Sequence, residues 1–377
     1  MQTTPPIKIT DCYVKHERSS NIELYRIIIM LLIVMDHYVV QSGLLDEMVK
    51  KPTAVNSMYL YIFGAWGKMG INCFVLITGY FMCQSRITLY KFLKLVLQVE
   101  FYNIILGAIF VLTGYTPFSI GMLQNILNPF NGVGRNFTGC FLLFFLFIPF
   151  LNACINNISK KQHLSLLLLC IFIYSGLGAF YFIGVEFNYV TWFCVLYILG
   201  SYIKKYPILY KNKLRFWIIA TIVTTTISIL SIIIFIFISQ RIGLEVNMFR
   251  ACYLLIDSNK PLTLVLSICL FMTFKNINIK HNKIINTIAS CTFGVYLIHD
   301  YFWGMQQWLW KDICKNVAFF NSEYLYIHSI IVPIIVFFAC VIIEYTRQKT
   351  IEKPLIDNVY KLLTKNTIAN KLLSTNK

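Results

Sequence analysis

Apolar positions in this chain come in long uninterrupted runs, with short polar segments between them. The runs fall at 22–40, 66–83, 93–113, 139–155, 164–184, 189–203, 216–238, 261–274, 284–304 and 326–345. A bilayer core about 30 Å thick takes roughly 20 apolar residues to cross as a helix. In hydrocarbon every backbone polar group must bond within its own segment or close a barrel. The runs are too long and too uniformly apolar for the alternating strands of a barrel. The pattern therefore predicts an all-α, polytopic transmembrane helical bundle of about ten spans. No internal repeat and no separate soluble domain is legible. The expected division is a cytoplasmic tail (1–20), a membrane domain (21–346) and a polar C-terminal tail (347–377).

Composition agrees with this pattern: 58% of the 377 residues are hydrophobic and the mean hydropathy is +0.67. The segment before the first run holds Lys15, Glu17 and Arg18 and lacks a short apolar core with a small-residue cleavage site, so it does not read as a signal peptide. The net charge of +17 raises the question of nucleic acid. Its distribution answers against it. With the N-terminus in the cytoplasm, 23 of the 33 Lys and Arg residues fall on the cytoplasmic side, as the positive-inside rule requires for ten spans with both termini inside. The outer loops 41–65, 114–138 and 239–260 carry few cations. The second is rich in Pro and Gly and reads as irregular. Met58 to Trp66 reads as an aromatic stretch lying along the outer interface. The twelve cysteines show no CxxC pair and no zinc spacing, and most sit within apolar runs, as packing residues do.

Ionisable groups inside a span are costly and face a protein interior or a water-filled cavity. The first span carries Glu23, Arg26, Asp36 and His37. Glu23 and Arg26 are three apart and can pair on one face. Arg26 and His37 are eleven apart, close to three helical turns, so they share a stripe with roughly 16 Å between them along the axis. This predicts a cation near the cytoplasmic end and an imidazole near mid-membrane, both lining a channel reached from the cytoplasm. A histidine there can act as general base on a hydroxyl. The bland alternative has Arg26 snorkelling to headgroups and His37 bonding a neighbouring helix. Asp36 points elsewhere and is not the ring's orienting partner within the helix. His299, deep in the ninth run, reads first as a hydrogen-bonded structural group. Lys91 and Lys94 share a cytoplasmic helix face that could hold phosphates, or could be ordinary positive-inside charge. Glu100 is a buried acid with no partner legible in the sequence.

Four stretches, in order, resemble the motifs of one family, the integral-membrane acyltransferases called acyltransferase family 3. They are Arg26-x10-His37, the apolar run from Gly70 ending in Thr78-Gly79-Tyr80, the segment Thr292 to His299, and Glu352-Lys353-Pro354 after the last span. The family often has Arg-x-x-Arg after the second span. Here Lys91-Phe-Leu-Lys94 stands in that place, which keeps charge but loses the bidentate fork arginine offers a phosphate.

The resemblance implies an enzyme of a bacterial-type cell membrane that acylates surface glycans. It implies acetyl-CoA or a similar acyl-CoA as cytoplasmic co-substrate, with no bound cofactor and no metal, and a glycan or lipid-linked sugar as acceptor. It makes His37 the base or transient acyl carrier and Arg26 a donor-positioning group. Lys91 and Lys94 become donor-binding candidates, and Glu23 and His299 supporting ones. The competing reading is a transporter or flippase for a glycolipid or small solute, which also uses intramembrane Arg, His and Asp.

Overall fold

The structure is a computed structural model that describes residues 18–85, 87–130, 137–180, 183, 185, 187–206 and 214–365. Lys15 and the chain past 365 lie outside those residues, as do the loop stretches 131–136 and 207–213. Among the described residues there is no strand. Seventeen α-helices follow one another: α1 Ser20–Val40, α2 Leu44–Lys50, α3 Val55–Phe63, α4 Gly67–Met82, α5 Leu89–Leu112, α6 Ile120–Ile126, α7 Phe137–Asn157, α8 Lys160–Ile171, α9 Tyr189–Lys205, α10 Leu214–Arg241, α11 Met248–Ala251, α12 Pro261–Asn276, α13 Lys283–Ser290, α14 Thr292–His299, α15 Trp303–Gln307, α16 Leu325–Arg347 and α17 Lys353–Lys365. Single π-helical turns follow α8, α15 and α16.

Among the described residues, six helical stretches are long and apolar enough to cross a bilayer, or seven if α1 and α2, bent by 63°, count as one span. The other expected runs are helical but shorter. They also sit differently. Most of α9 is buried, with Trp192, Phe193, Leu196 and Tyr197 wholly enclosed. By contrast, α10 and α16 expose long apolar faces, for example Ile222, Leu230 and Ile234, or Ile335 and Ile342. Such faces suit lipid, whereas a helix ringed by other helices needs no full bilayer length of its own.

Packing between α4 and α9 rests on two glycines that face each other's backbones. A Cβ on Gly79 would come within 2.6 Å of the Tyr197 carbonyl oxygen, and one on Gly200 within 2.5 Å of the Leu76 carbonyl oxygen. Small residues let helix backbones approach this closely in membranes. The Thr78-Gly79-Tyr80 motif is thus a helix contact. Helix α1 packs in the middle of the bundle against α4, α12, α13, α14 and α16.

Two of the connections expected to be outer ones fold inward. The Met58 to Trp66 stretch is drawn into the bundle: Leu60 and Tyr61 are fully buried, and the Tyr61 hydroxyl donates to the Val246 carbonyl at 2.6 Å. The connection 239–260 folds inward as well, burying Ala251, Cys252 and Leu255. Both segments carry enough apolar side chain to be pulled off the interface into protein. At the other end α16 runs through the turn Gln348–Glu352 into α17, whose Ile356 is buried.

Candidate active site

Helix α1 and the residues flanking it line a cavity of about 1490 Å³, through Arg18, Arg26, Met30, Ile33, His37 and Gln41. From Arg26 on, their spacing of three or four is one helical stripe. Arg26 and His37 therefore do face one space, at different depths. His37 lies in the last turn of α1, farther along than the mid-span position read from the sequence. Arg26 stands 3.8 Å from Glu23, its expected partner one turn back.

The two ends of the cavity differ in charge. Around the N-terminal end of α1 the lining includes Arg18, Lys94, Lys283 and Lys349, with Glu352 as the lining acid there among the described residues and Arg26 a step deeper. Around the far end stand Asp36, His37, Lys68, Asp300 and Gln306, with Tyr189 and Tyr296. The inward-folded connection 239–260 contributes Met248, Cys252 and Leu255 to the wall there.

The geometry about His37 fixes its protons. The Nδ1 of His299 lies 2.6 Å from the Val295 carbonyl oxygen, which can only accept, so this nitrogen carries hydrogen. The Nε2 of a neutral His299 is then an acceptor. His37 Nδ1 sits 2.9 Å from it and must donate. The Nε2 of His37 is left as a lone pair on the cavity wall. Asp300 stands 3.3 Å from the same Nδ1 of His37, where its carboxylate stabilises the ring if it gains a proton. Gln41 and Gln306 each donate to that carboxylate at 3.1 Å, and Gln306 also bonds the Asp300 backbone carbonyl. Asp36 does not point elsewhere as expected: one residue turns only about 100° around the helix, so it lines the same cavity as His37, with its Oδ2 3.9 Å from His37 Nε2, outside hydrogen-bond range.

His299 is fully buried behind His37, is not among the cavity-lining residues, and has the Trp310 ring edge-on against it. It orients the ring and does not face the cavity. Helix α14, the third motif, ends at His299 and delivers Asp300 as the next residue.

The donor-side candidates divide. Lys94 lines the cavity; Lys91 is exposed and does not. Lys94 Nζ pairs with Glu352 at 2.5 Å, so the basic pair after the second span meets the fourth motif in space. Glu352 is held from its other side by Arg347 at 2.7 Å. Arg347 forms two bonds of 2.8 Å to Glu344, which is fully buried and also accepts from Tyr102 at 2.6 Å, Gln98 at 3.1 Å and Gln348 at 2.8 Å. Room for Glu344 comes from Gly294 of the third motif, where a Cβ would fall 2.4 Å from its carboxyl carbon. Glu100 lies on α5, is not among the cavity-lining residues, and has one carboxylate oxygen without a hydrogen-bond partner.

Sequence reasoning missed Asp300, Glu344, Arg347, Lys68 and the rim cations Arg18, Lys283 and Lys349. Glu344 and Arg347 left a signal: an acid closing an apolar run with a base three residues on, the same i, i+3 pattern that drew attention to Glu23 and Arg26.

A family model described as an acyltransferase domain matches residues 19–346. No curated protein and no solved structure matches the chain.

Proposed function

The chain belongs to the membrane acyltransferases of acyltransferase family 3, and from that premise we propose that it moves an acyl group, acetyl in the simplest case, from a cytoplasmic acyl-CoA to a hydroxyl of a cell-surface glycan or lipid-linked sugar. The observation that carries this reading is one cavity with a cationic rim at one end and the unprotonated Nε2 of His37 on its wall toward the other. Such a rim suits the phosphates of a nucleotide-type thioester. The thioester arm would run inward along the α1 stripe past Arg26. His37 Nε2 takes the proton of the acceptor hydroxyl as its oxygen attacks the thioester carbonyl. The carbon–sulfur bond breaks, the proton passes from the imidazolium to the leaving thiolate, and the products are ester and free thiol. Asp300 steadies the imidazolium between the two proton transfers.

The reading includes ten spans with both termini in the cytoplasm, which would set the rim toward the donor and His37 toward the acceptor. The topological logic is that the activated donor is cytoplasmic whereas the acceptor is lipid-linked or outside. Lys94, with Arg18, Lys283 and Lys349, holds donor phosphate in this scheme. Lys91, exposed and off the cavity, does not hold donor phosphate in this scheme.

The test has two arms. Protein in lipid nanodiscs is given acetyl-CoA and a glycan fraction from its host, and free thiol is followed. Surface glycans from cells with and without the gene are compared by mass spectrometry. A mass difference of one acyl unit is expected. Identical glycans in the two strains would sink the proposal.

A further inference from the structure

Two hydrogen-bond acceptors face the far end of the cavity side by side. One is the Nε2 lone pair of His37, fixed by the chain of donors running through His299 to the Val295 carbonyl. The other is the carboxylate of Asp36, whose Oδ2 lies 3.9 Å away. Both residues line the cavity. The pair does not bond to itself: at 3.9 Å the two atoms stand outside hydrogen-bond range.

Asp36 is held where it is. The Cα of Gly67, at the start of α4, is pressed against it so closely that a Cβ there would sit 2.4 Å from Oδ2. Asp36 is thus set toward the cavity, beside the base, by a contact that only a glycine permits.

The spacing selects what can bind. An alcohol has one O–H and can donate to one of the two acceptors; if it donates to His37, the Asp36 carboxyl keeps only the Gly67 backbone N–H as a donor and its cavity-facing lone pairs stay unmatched. Two neighbouring hydroxyls on one ring supply two donors at adjacent positions, each reaching its acceptor at about 2.8 Å. An ammonium could also donate to both, but Lys68 already lines this end of the cavity as a cation and disfavours a second one.

Resting on the acyl-transfer reading, we propose that the acceptor is a vicinal diol. The hydroxyl to be acylated donates to His37 Nε2, and its neighbour donates to Asp36. Asp36 is then a specificity-determining residue, gripping the hydroxyl that does not react. A sugar unit with two adjacent free hydroxyls is accepted; one whose neighbouring position is already substituted is not.

The test uses small probes. Full-length protein in nanodiscs is supplied with acetyl-CoA and either cis-1,2-cyclohexanediol, cis-1,3-cyclohexanediol, cyclohexanol or cyclohexylamine, and ester or amide product is measured. The 1,2-diol should be acylated about tenfold or more faster than cyclohexanol at equal concentration, the worth of one hydrogen bond to a charged acceptor. Asp36→Ala should remove that preference, and the near-isosteric Asp36→Asn, which keeps an acceptor oxygen, should retain part of it. A binding arm works without turnover. The 1,2-diol should slow modification of His37 by diethyl pyrocarbonate, read by mass spectrometry, in wild type and not in Asp36→Ala. Equal acylation of diol and mono-ol, equal protection by both, or preference for the amine would overturn the diol assignment and leave acyl transfer standing. Protection by the diol with no acyl transfer to any acceptor would overturn the acyl-transfer reading instead.

Discussion

The two ends of the cavity are built by opposite rules. At the rim, charge is plentiful and geometry loose: Arg18, Lys94, Lys283 and Lys349 come from four separate segments, and Lys94 is half-exposed while paired to Glu352. At the far end, charge is mixed in sign, Asp36 and Asp300 against Lys68, and geometry is tight. One backbone carbonyl fixes His299, His299 fixes His37, and two glutamine amides fix Asp300. A rim of that kind attracts a polyanion over a distance and tolerates imprecise fit. A relay of single hydrogen bonds in a dry setting tolerates almost none. The same contrast ranks the substitutions that would test it.

The largest effect is expected at the tight end. His37→Ala should lower acyl transfer by between about 10²- and 10⁴-fold, the usual contribution of a positioned general base, while the protein remains inserted and abundant. Product formation by that variant at the wild-type rate would remove His37 from the chemistry.

Behind the loose rim stands one rigid anchor. Glu344 is fully buried and Arg347 nearly so, and each meets the other through two bonds. Arg347→Ala would strand a carboxylate without its cation, a change that costs about 3–5 kcal/mol in a buried pair. Lower thermal stability and lower abundance should follow. The double variant Arg347→Leu with Glu344→Gln should recover much of that loss, since removing both charges together avoids the orphan. A double variant no more stable than Arg347→Ala would show that the ion pair itself, and not the stranded charge, is what matters.

Asp300 belongs to the tight end but acts at one remove. In a triad where the carboxylate alone sets the histidine tautomer, its replacement by an amide is severe. Here His299 sets the tautomer, so Asp300→Asn should remove charge without reversing the ring. The expected loss is roughly ten- to a hundredfold in kcat, the worth of a charge-assisted bond. A loss as large as that of His37→Ala would mean that the carboxylate, and not His299, fixes the proton.

These rankings also mark what could be read along the chain. Arg26 and His37 were legible because both lie on one helix, where a period of 3.6 is enough to place them on a common stripe. His299 and Asp300 could not be assigned to His37 because 262 and 263 residues separate them from it, and no helical period speaks across that distance. Lys91 and Lys94 looked equivalent. Three residues differ by about 60° around a helix axis, and that turn leaves one on the cavity and the other off it. The shortness of α9 and α12 makes sense only once their neighbours are known, because a buried helix owes nothing to the bilayer's thickness. Gly79 and Gly294 looked like parts of a chemical signature, and each proves to be a space: one for the backbone of α9, the other for Glu344.

The smallest effect is expected at the rim, where the contrast is also easiest to break. Lys94→Ala removes one half-exposed cation from among several, and an exposed charge contact is worth about 0.2–1 kcal/mol. That converts to a rise of roughly 1.4- to 5-fold in the KM for acetyl-CoA, with kcat little changed. The rise should shrink as salt is added, because exposed charges are screened within about 10 Å at 0.1 M. Lys91→Ala, off the cavity wall, should move KM less than Lys94→Ala does. The two readouts separate field from fit. If Lys94→Ala instead lowered kcat by orders of magnitude and ignored salt, the lysine would be gripping a phosphate in fixed geometry, and the rim would have to be counted as a second tight site, with its Glu352 partner as the orienting group.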